Sequence, residues 1–159
     1  MIFVTVGTQL PFDRLVLTVD EWAAAANRDD VFAQIGPTGT PPKHIAWARG
    51  MTPVEFKTRV RDATAIVAHA GMGTIINALT AAKPIIVLPR KASLGEHRND
   101  HQIATVRELS DRGRVHAAAD EAELRSMLDN VSELPPLPAL RDAADDALIG
   151  FIRGFIRGS

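Results

Sequence analysis

Apolar residues along this chain alternate between short β-rich runs and longer segments with helical spacing. The short runs predict strands at residues 2–6, 31–35, 44–48, 65–68, 85–88 and 115–117. Apolar positions three and four apart predict helices beginning near residues 12, 53, 72, 100 and 121. Thr52-Pro53-Val54-Glu55 also has the pattern of a capping box at a helix start. Strands that alternate with helices predict an α/β fold with a doubly wound parallel sheet, covered on both faces.

Three polar loops follow predicted strands at their carboxyl ends. They begin at Gly7-Thr8, at His69 and at Arg90, and the last continues to Gln102. The charged residues of the stretch 90–99 predict that it is exposed. Because ligands of such sheets bind outside the carboxyl ends of the strands, we expect the three loops to converge on one site.

The central stretch is His69-Ala70-Gly71-Met72-Gly73-Thr74, which predicts a strand, a glycine loop and a helix start. The first turn of a helix has free N–H groups, and its dipole favours a bound phosphate. Gly71 and Gly73 permit a close backbone approach or a positive φ. The spacing of two glycines is also compatible with a tight turn that binds nothing.

Composition narrows the class of protein. The chain has 159 residues, 46% of them hydrophobic, which suits one compact domain with a sizeable core. It has no cysteine and a net charge of −1, which exclude thiolate chemistry and give no basic field for nucleic acid. No basic leader and no apolar run of membrane-spanning length is present in this sequence, so we expect a cytoplasmic protein, at most associated with a membrane.

Several motifs, taken in order, resemble one family of enzymes. They are Val4-Thr5-Val6-Gly7-Thr8 with Phe12-Asp13-Arg14-Leu15, then His69-Ala70-Gly71-Met72-Gly73-Thr74-Ile75, then Leu88-Pro89-Arg90, and finally Gly95-Glu96-His97-Arg98-Asn99-Asp100-His101-Gln102. This order resembles the C-terminal, UDP-sugar-binding domain of family 28 glycosyltransferases. The likeness is to the free-standing form, which includes the soluble catalytic subunit of a two-subunit UDP-N-acetylglucosamine transferase of dolichol-linked oligosaccharide synthesis and similar bacterial exopolysaccharide subunits.

The resemblance implies a Rossmann-like domain that is the C-terminal half of a GT-B glycosyltransferase. It implies an inverting, UDP-sugar-dependent hexosyltransferase that works as a heterodimer. A membrane-anchored partner subunit would present a polyprenyl-linked acceptor and supply the catalytic base, and would recruit this chain to the inner face of the membrane. Neither a metal nor another cofactor is expected.

The resemblance also implies roles for individual residues. Gly7 and Thr8 would face the diphosphate, and residues Gly71, Met72, Gly73 and Thr74 would form the phosphate-binding turn. His101 and Gln102 would contact sugar hydroxyls, and uracil would lie near Gly50 and Met51. Asn77 stands where the related peptidoglycan transferase has a glutamate for the ribose hydroxyls, and its amide offers one acceptor oxygen instead.

Other candidate residues keep two interpretations. His69 either lines the donor site, where it is a candidate catalytic residue, or caps the following turn. Glu96 either accepts from ribose or sugar hydroxyls or is a solvated loop carboxylate, and Arg90 or Lys91 would neutralise phosphate. His97 and His101 have the spacing of zinc ligands on a helix, although no third ligand is evident. We expect Trp22 and Trp47 to be core or interface anchors.

The chain divides into a nucleotide-sugar-binding domain at residues 1–133 and a proline-rich linker with a C-terminal helix at residues 134–159. The helix would carry one apolar stripe, formed by Ala144, Ala147, Leu148, Phe151, Ile152, Phe155 and Ile156. We expect this amphipathic helix to dock on the partner or a membrane surface, although the domain core could also absorb it. Two other classes of function stay open, a non-enzymatic nucleotide-binding regulatory module and a different nucleotide-sugar enzyme such as an epimerase.

Overall fold

A computed structural model describes residues 1–8, 10–96, 101–111, 113–135 and 150. Within these ranges, six parallel strands form one sheet in the order β3-β2-β1-β4-β5-β6. The strands are β1 (Ile2–Thr5), β2 (Val31–Gln34), β3 (Ala46–Ala48), β4 (Ala65–Ala68), β5 (Ile85–Val87) and β6 (His116–Ala117). The predicted doubly wound parallel sheet is confirmed.

The described helices cover both faces of this sheet. They are α1 (Asp13–Ala25), α2 (Pro53–Asp62), α3 (Met72–Thr80), α4 (His101–Asp111) and α5 (Glu121–Asp129). On one face, side chains of α1 and α5 pack on Ile2 and Val4; on the other, side chains of α2, α3 and α4 pack on the face that bears Phe3. Alternate residues of β1 thus enter different cores, as the period of two in a strand requires.

Local sequence signals set several element boundaries. The capping box is confirmed, since Thr52 Oγ1 accepts from the Glu55 N–H at 3.1 Å and Glu55 Oε2 accepts from the Thr52 N–H at 2.7 Å. Asp120 caps α5 through the Glu123 N–H, and Gly113, with φ of 69°, follows α4. These signals depend only on neighbouring residues, so the sequence alone reveals them.

The third strand is shorter than predicted. It begins at Ala46 because the N–H groups of Lys43, His44 and Ile45 donate to the buried carboxylate of Asp20, at 2.7 to 3.0 Å. Asp20 is only 4% exposed and lies in α1. A backbone that is bound to this carboxylate cannot also pair with β2.

The two tryptophans have different environments. Trp22 is buried, and its indole N–H donates to Asp129 at the end of α5 at 2.9 Å, so it is a core anchor. Trp47 is 39% exposed on edge strand β3, with the Arg49 guanidinium 5.5 Å from its ring centroid. Trp47 is therefore not a core residue, since an edge strand leaves its side chain partly in solvent, and its role as an interface anchor stays a prediction.

No helix among the described residues combines the length and the apolar character needed to cross a bilayer. The predicted C-terminal helix lies outside the described residues, apart from Gly150. The division at residues 133 and 134 stays a prediction.

Candidate functional site

The site is a cavity of about 770 Å³ at the carboxyl ends of the strands. It lies beside β1 and β4, where the chain order of the sheet reverses, as expected for doubly wound sheets. Gly7, His69 and Arg90 all line it, which confirms that the three polar loops converge. Among the described residues, its lining includes Arg49, Lys57 and Arg90 but no aspartate or glutamate, so its charge favours an anion.

The amino end of α3 forms one wall of this cavity. The first helical hydrogen bond runs from the Ile75 N–H to the Gly71 carbonyl, so the N–H groups of residues 72–74 precede the helical ladder. Gly71, Gly73 and Thr74 line the cavity, whereas the Met72 side chain packs in the core and is 9% exposed. Free N–H groups at a helix start are suited to a phosphate.

The two glycines of this turn serve different purposes. Gly71 has φ of −78°, and Gly73 does not have a positive φ either. Neither glycine therefore adopts the left-handed conformation. A Cβ at Gly71 would overlap the imidazole of His69, whereas a Cβ at Gly73 would meet no atom within 4 Å. Gly71 therefore makes room for a side chain of the protein itself, and Gly73 leaves open space above the turn.

His69 lies between the two glycine loops. A Cβ at Gly7 would be 2.7 Å from His69 Nε2, so both Gly7 and Gly71 must lack a side chain for the ring to fit. Gly7 also has φ of 80°, a conformation that glycine adopts easily. His69 lines the cavity, in agreement with its interpretation as a donor-site residue, and its catalytic role stays a prediction.

Arg90 is buried, although the sequence predicted that its loop is exposed. It is 3% exposed, and its guanidinium donates to the carbonyls of Val6, Leu10 and Pro11 at 2.6 to 2.8 Å and of Glu96 at 3.4 Å. The loop buries this charge because these oxygens replace water around it. Arg90 thereby ties the β1–α1 loop to the loop after β5, and residues 97–99 of the predicted stretch lie outside the described residues.

Glu96 is not among the described residues that line the cavity. It forms a bidentate ion pair with Arg14. Its two oxygens accept from Arg14 Nη2 and Nε, each at 2.9 Å, and Oε1 also accepts from the Lys91 N–H at 3.0 Å. Burial opposes ionisation of the Glu96 carboxyl, but Arg14 and the Lys91 N–H outweigh it and hold its pKa below the usual range. Its side chain is therefore already occupied by partners of this chain.

This ion pair predicts a pH dependence of stability. A carboxyl whose pKa is lower in the folded state stabilises the fold above its unfolded pKa, and loses that contribution as the pH falls through the folded value. We expect the free energy of unfolding to fall below about pH 4.5, and to fall less in Glu96→Gln. Urea unfolding between pH 3 and 7 measures this, with the exposed Glu133→Gln as the control. An equal decline in Glu96→Gln and wild type would show that Glu96 contributes nothing to it.

Another part of the cavity wall is formed by apolar side chains. Met51, Pro53 and Phe56 line it, with Lys57 beside them on α2. Asn77 also lines the cavity, and its Nδ2 donates to the Gly73 carbonyl at 2.8 Å, which leaves its oxygen as an acceptor. An apolar wall beside a few polar groups is typical of a site for a small molecule.

The remaining predicted site residues belong to the start of α4 or precede it. His101 and Gln102 are the first two residues of α4, and nothing is described of their side chains. His97 lies outside the described residues, so the zinc interpretation stays untested.

Thr8, in the loop after β1, is exposed and lines the cavity beside Gly7.

Sequence reasoning missed several residues of the lining, among them Gln34, Arg49, Phe56 and Lys57. Gln34 had a detectable signal, because it is a polar residue within an otherwise apolar strand and a buried amide requires hydrogen-bond partners. Arg49 and Lys57 follow no motif, and Phe56 carries the spacing of an ordinary core residue of α2.

Comparisons with known proteins agree with this architecture. The model of the glycosyltransferase family 28 C-terminal domain matches residues 1–145. The NMR solution structure of ALG13 has a TM-score of 0.64 at 18% identity, and the match covers 92% of this chain and 93% of that one. No curated protein matches the sequence significantly.

Larger proteins contain the same fold. The crystal structure of the glycotransferase of kitacinnamycin has a TM-score of 0.60 at 18% identity, and the match covers 99% of this chain and 39% of that one. UDP-GlcNAc 2-epimerase from Neisseria meningitidis, bound to UDP-GlcNAc, has a TM-score of 0.58 at 13% identity, covering 84% of this chain and 36% of the epimerase. This chain thus spans about two fifths of the length of such proteins, and at these identities the likeness establishes the fold.

Proposed function

Because the chain belongs to the glycosyltransferase family 28 C-terminal domain family, we propose that its cavity binds a UDP-sugar as the donor of a hexosyl group. One observation carries this proposal: the start of α3, whose first N–H groups precede the helical ladder, and the Gly7-Thr8 loop line one cavity whose described charged residues are basic. Such a wall suits a diphosphate, and the apolar end at Met51 and Phe56 suits a base.

The reaction would be transfer with inversion at the anomeric carbon. The bond between that carbon and the β-phosphate oxygen breaks, and UDP leaves with the electron pair. The acceptor hydroxyl forms the new bond on the opposite face of the sugar, and its proton goes to a base. In this proposal the N–H groups of Gly73 and Thr74, which line the cavity at the start of α3, stabilise the charge that develops on the leaving UDP, as preorganised donors do strongly.

We further propose that this chain is the catalytic subunit of a two-subunit enzyme of exopolysaccharide or glycan synthesis. A membrane-anchored subunit would bind a polyprenyl-linked acceptor, supply the base and hold the cytoplasmic donor subunit at the membrane. The match covers 39% of the kitacinnamycin glycotransferase, and in this proposal the partner subunit supplies the acceptor-binding half. No metal is required in this proposal, because N–H groups and basic residues neutralise the diphosphate.

Reconstitution with the partner tests the proposal. The chain is purified alone and together with the product of the neighbouring reading frame, and UDP binding and transfer from a set of UDP-sugars to extracted lipid acceptors are measured separately. We expect UDP binding by the chain alone, and transfer only with the partner, with or without EDTA. Truncation after Pro138 should preserve UDP binding but abolish co-purification and transfer.

Three outcomes would contradict parts of this proposal. Absence of UDP binding would remove the donor-site assignment. Robust transfer by the purified chain alone would overturn the two-subunit arrangement. Loss of transfer in EDTA would restore the interpretation of His97 and His101 as metal ligands.

A further inference from the structure

Gln34 connects two of the loops that line the cavity. It is the last residue of β2, paired in register with Thr5 of β1 and Ala48 of β3, and it is 5% exposed. Its Nε2 donates to the Gly7 carbonyl at 3.0 Å and to the Arg49 carbonyl at 3.1 Å. One amide group therefore bridges the loop after β1 and the loop after β3.

The orientation of this amide is determined by its neighbours. The Thr5 hydroxyl accepts from the Gly7 N–H at 3.4 Å and donates to Gln34 Oε1 at 2.7 Å. Carbonyl oxygens only accept, so the amide nitrogen must face Gly7 and Arg49. The amide nitrogen of Gln34 thus donates two hydrogen bonds, and its oxygen accepts one. A buried polar side chain with a structural role is expected to have its hydrogen bonds satisfied in this way.

The two bridged loops would contact different parts of the ligand in the proposed donor site. Gly7 and Thr8 lie on the phosphate side of the cavity, next to His69, and Arg49 leads directly into Gly50 and Met51 on the apolar side. The Arg49 guanidinium also donates to the carbonyls of Pro37 and Gly39, at 3.1 and 3.0 Å. Its loop is thus held at both the backbone and the side chain.

We propose that Gln34 is a positioning residue that sets the spacing between the phosphate-facing and the nucleoside-facing loops. This inference rests on the proposed function, since it assumes that one nucleoside diphosphate spans both loops. A ligand that contacts two rigidly spaced walls gains from binding both at once, whereas a fragment that contacts one wall gains nothing from their spacing. Gln34 should therefore matter for UDP and little for its parts.

The test compares UDP with two fragments, uridine and inorganic pyrophosphate. In Gln34→Leu, which has a side chain of similar size but removes both donors and the acceptor, we expect the Kd for UDP to rise about tenfold. The Kd values for uridine and pyrophosphate should change less than about twofold. Calorimetry measures UDP, and NMR titration measures the weaker fragments.

Asp20→Asn is the matched control. Asp20 is another buried polar side chain that holds a loop, through the N–H groups of residues 43–45, and it does not line the cavity. The Asp20→Asn substitution should lower the melting temperature of the protein while leaving its affinity for UDP unchanged. A loss of UDP affinity in this control as large as in Gln34→Leu would overturn the inference, because general destabilisation would then explain both.

Gln34→Glu supplies a second measurement if the leucine variant does not fold. At neutral pH its carboxylate would face two carbonyl oxygens, and protonation at lower pH would restore one donor. We expect its UDP affinity, relative to wild type at the same pH, to recover in part between pH 7 and pH 5. A ratio that does not change with pH would overturn the positioning role.

The outcomes separate the two proposals. If wild type binds no UDP, both the donor site and the role of Gln34 are overturned. If wild type binds UDP and Gln34→Leu binds it equally well, the donor site stands and the role of Gln34 falls. A uniform loss of affinity for UDP, uridine and pyrophosphate would indicate a collapsed cavity and would also overturn the inference.

Discussion

Replacing Arg90 with methionine is expected to lower the free energy of unfolding by about 3 to 5 kcal/mol, a large part of the stability of an ordinary domain. The guanidinium is bound to four backbone carbonyls, of Val6, Leu10, Pro11 and Glu96. Methionine has similar length but no donor, so the buried Val6 carbonyl would lose its partner at a cost of about 1 to 3 kcal/mol, and the three part-buried carbonyls would lose theirs at a smaller cost each. Removing a buried charge offsets part of that cost.

The aromatic ring of Phe12 adds to this effect. The guanidinium carbons of Arg90 and Arg14 lie 5.0 and 5.3 Å from its ring centroid, and Phe12 is 1% exposed. Loss of Arg90 would therefore remove one cation–π contact at the start of α1. Burial lowers the pKa of the Arg90 guanidinium, with the Glu96 carboxylate opposing that shift, and arginine stays charged at neutral pH.

Urea unfolding measures this prediction, with two companion variants. Arg90→Lys keeps a charge and three donors but cannot span four carbonyls, so its stability should lie between those of wild type and Arg90→Met. Lys91→Met, at the neighbouring and half-exposed position, should change stability by less than about 0.5 kcal/mol. If Arg90→Met were as stable as wild type but bound UDP tenfold more weakly, Arg90 would be a phosphate ligand, as the sequence suggested, and not a structural tether.

Arg90 illustrates what the sequence could and could not predict. The alternation of strands and helices, the capping box at Thr52 and the glycine turn at Gly71 all follow from neighbouring residues, so the fold class and the edge of the sheet that carries the site could be predicted. The burial of Arg90 depends on carbonyls up to 84 residues away in sequence. The charge of Arg90 alone predicts that its side chain is exposed. The side chain is buried because the β1–α1 loop and the loop after β5 pack together around it.

The same reasoning applies to Gln34 and His69. Gln34 contacts three residues on three segments, and its role becomes visible only once the strand order places β2 beside β1. The sequence indicated His69 as a site residue because it follows a strand, but not that Gly7 and Gly71 must be small to accommodate its ring. Local sequence patterns thus locate the candidate site, and long-range contacts determine the structural role of each residue within it.

Replacing Gly73 with valine should abolish most of the affinity for UDP without unfolding the protein. Gly73 is exposed at the second position of α3, and a Cβ there meets no atom within 4 Å, so the fold can accept the larger side chain. Valine is also a better helix former than glycine by a few tenths of a kcal/mol, so the melting temperature should stay the same or rise slightly. The branched side chain would occupy the space in which a phosphate must approach the N–H groups of the first turn.

We expect the Kd for UDP to rise between about tenfold and a hundredfold, equivalent to roughly 1.4 to 2.8 kcal/mol of binding free energy. Thr80→Val places the same residue at an exposed position near the other end of α3, which does not line the cavity, and should leave UDP affinity unchanged. Gly71→Ala should differ from both, because its Cβ would displace the His69 ring and weaken stability and affinity together. A folded Gly73→Val protein that binds UDP as wild type does would mean that the diphosphate lies elsewhere in the cavity, and that the start of α3 is only a tight turn between a strand and a helix.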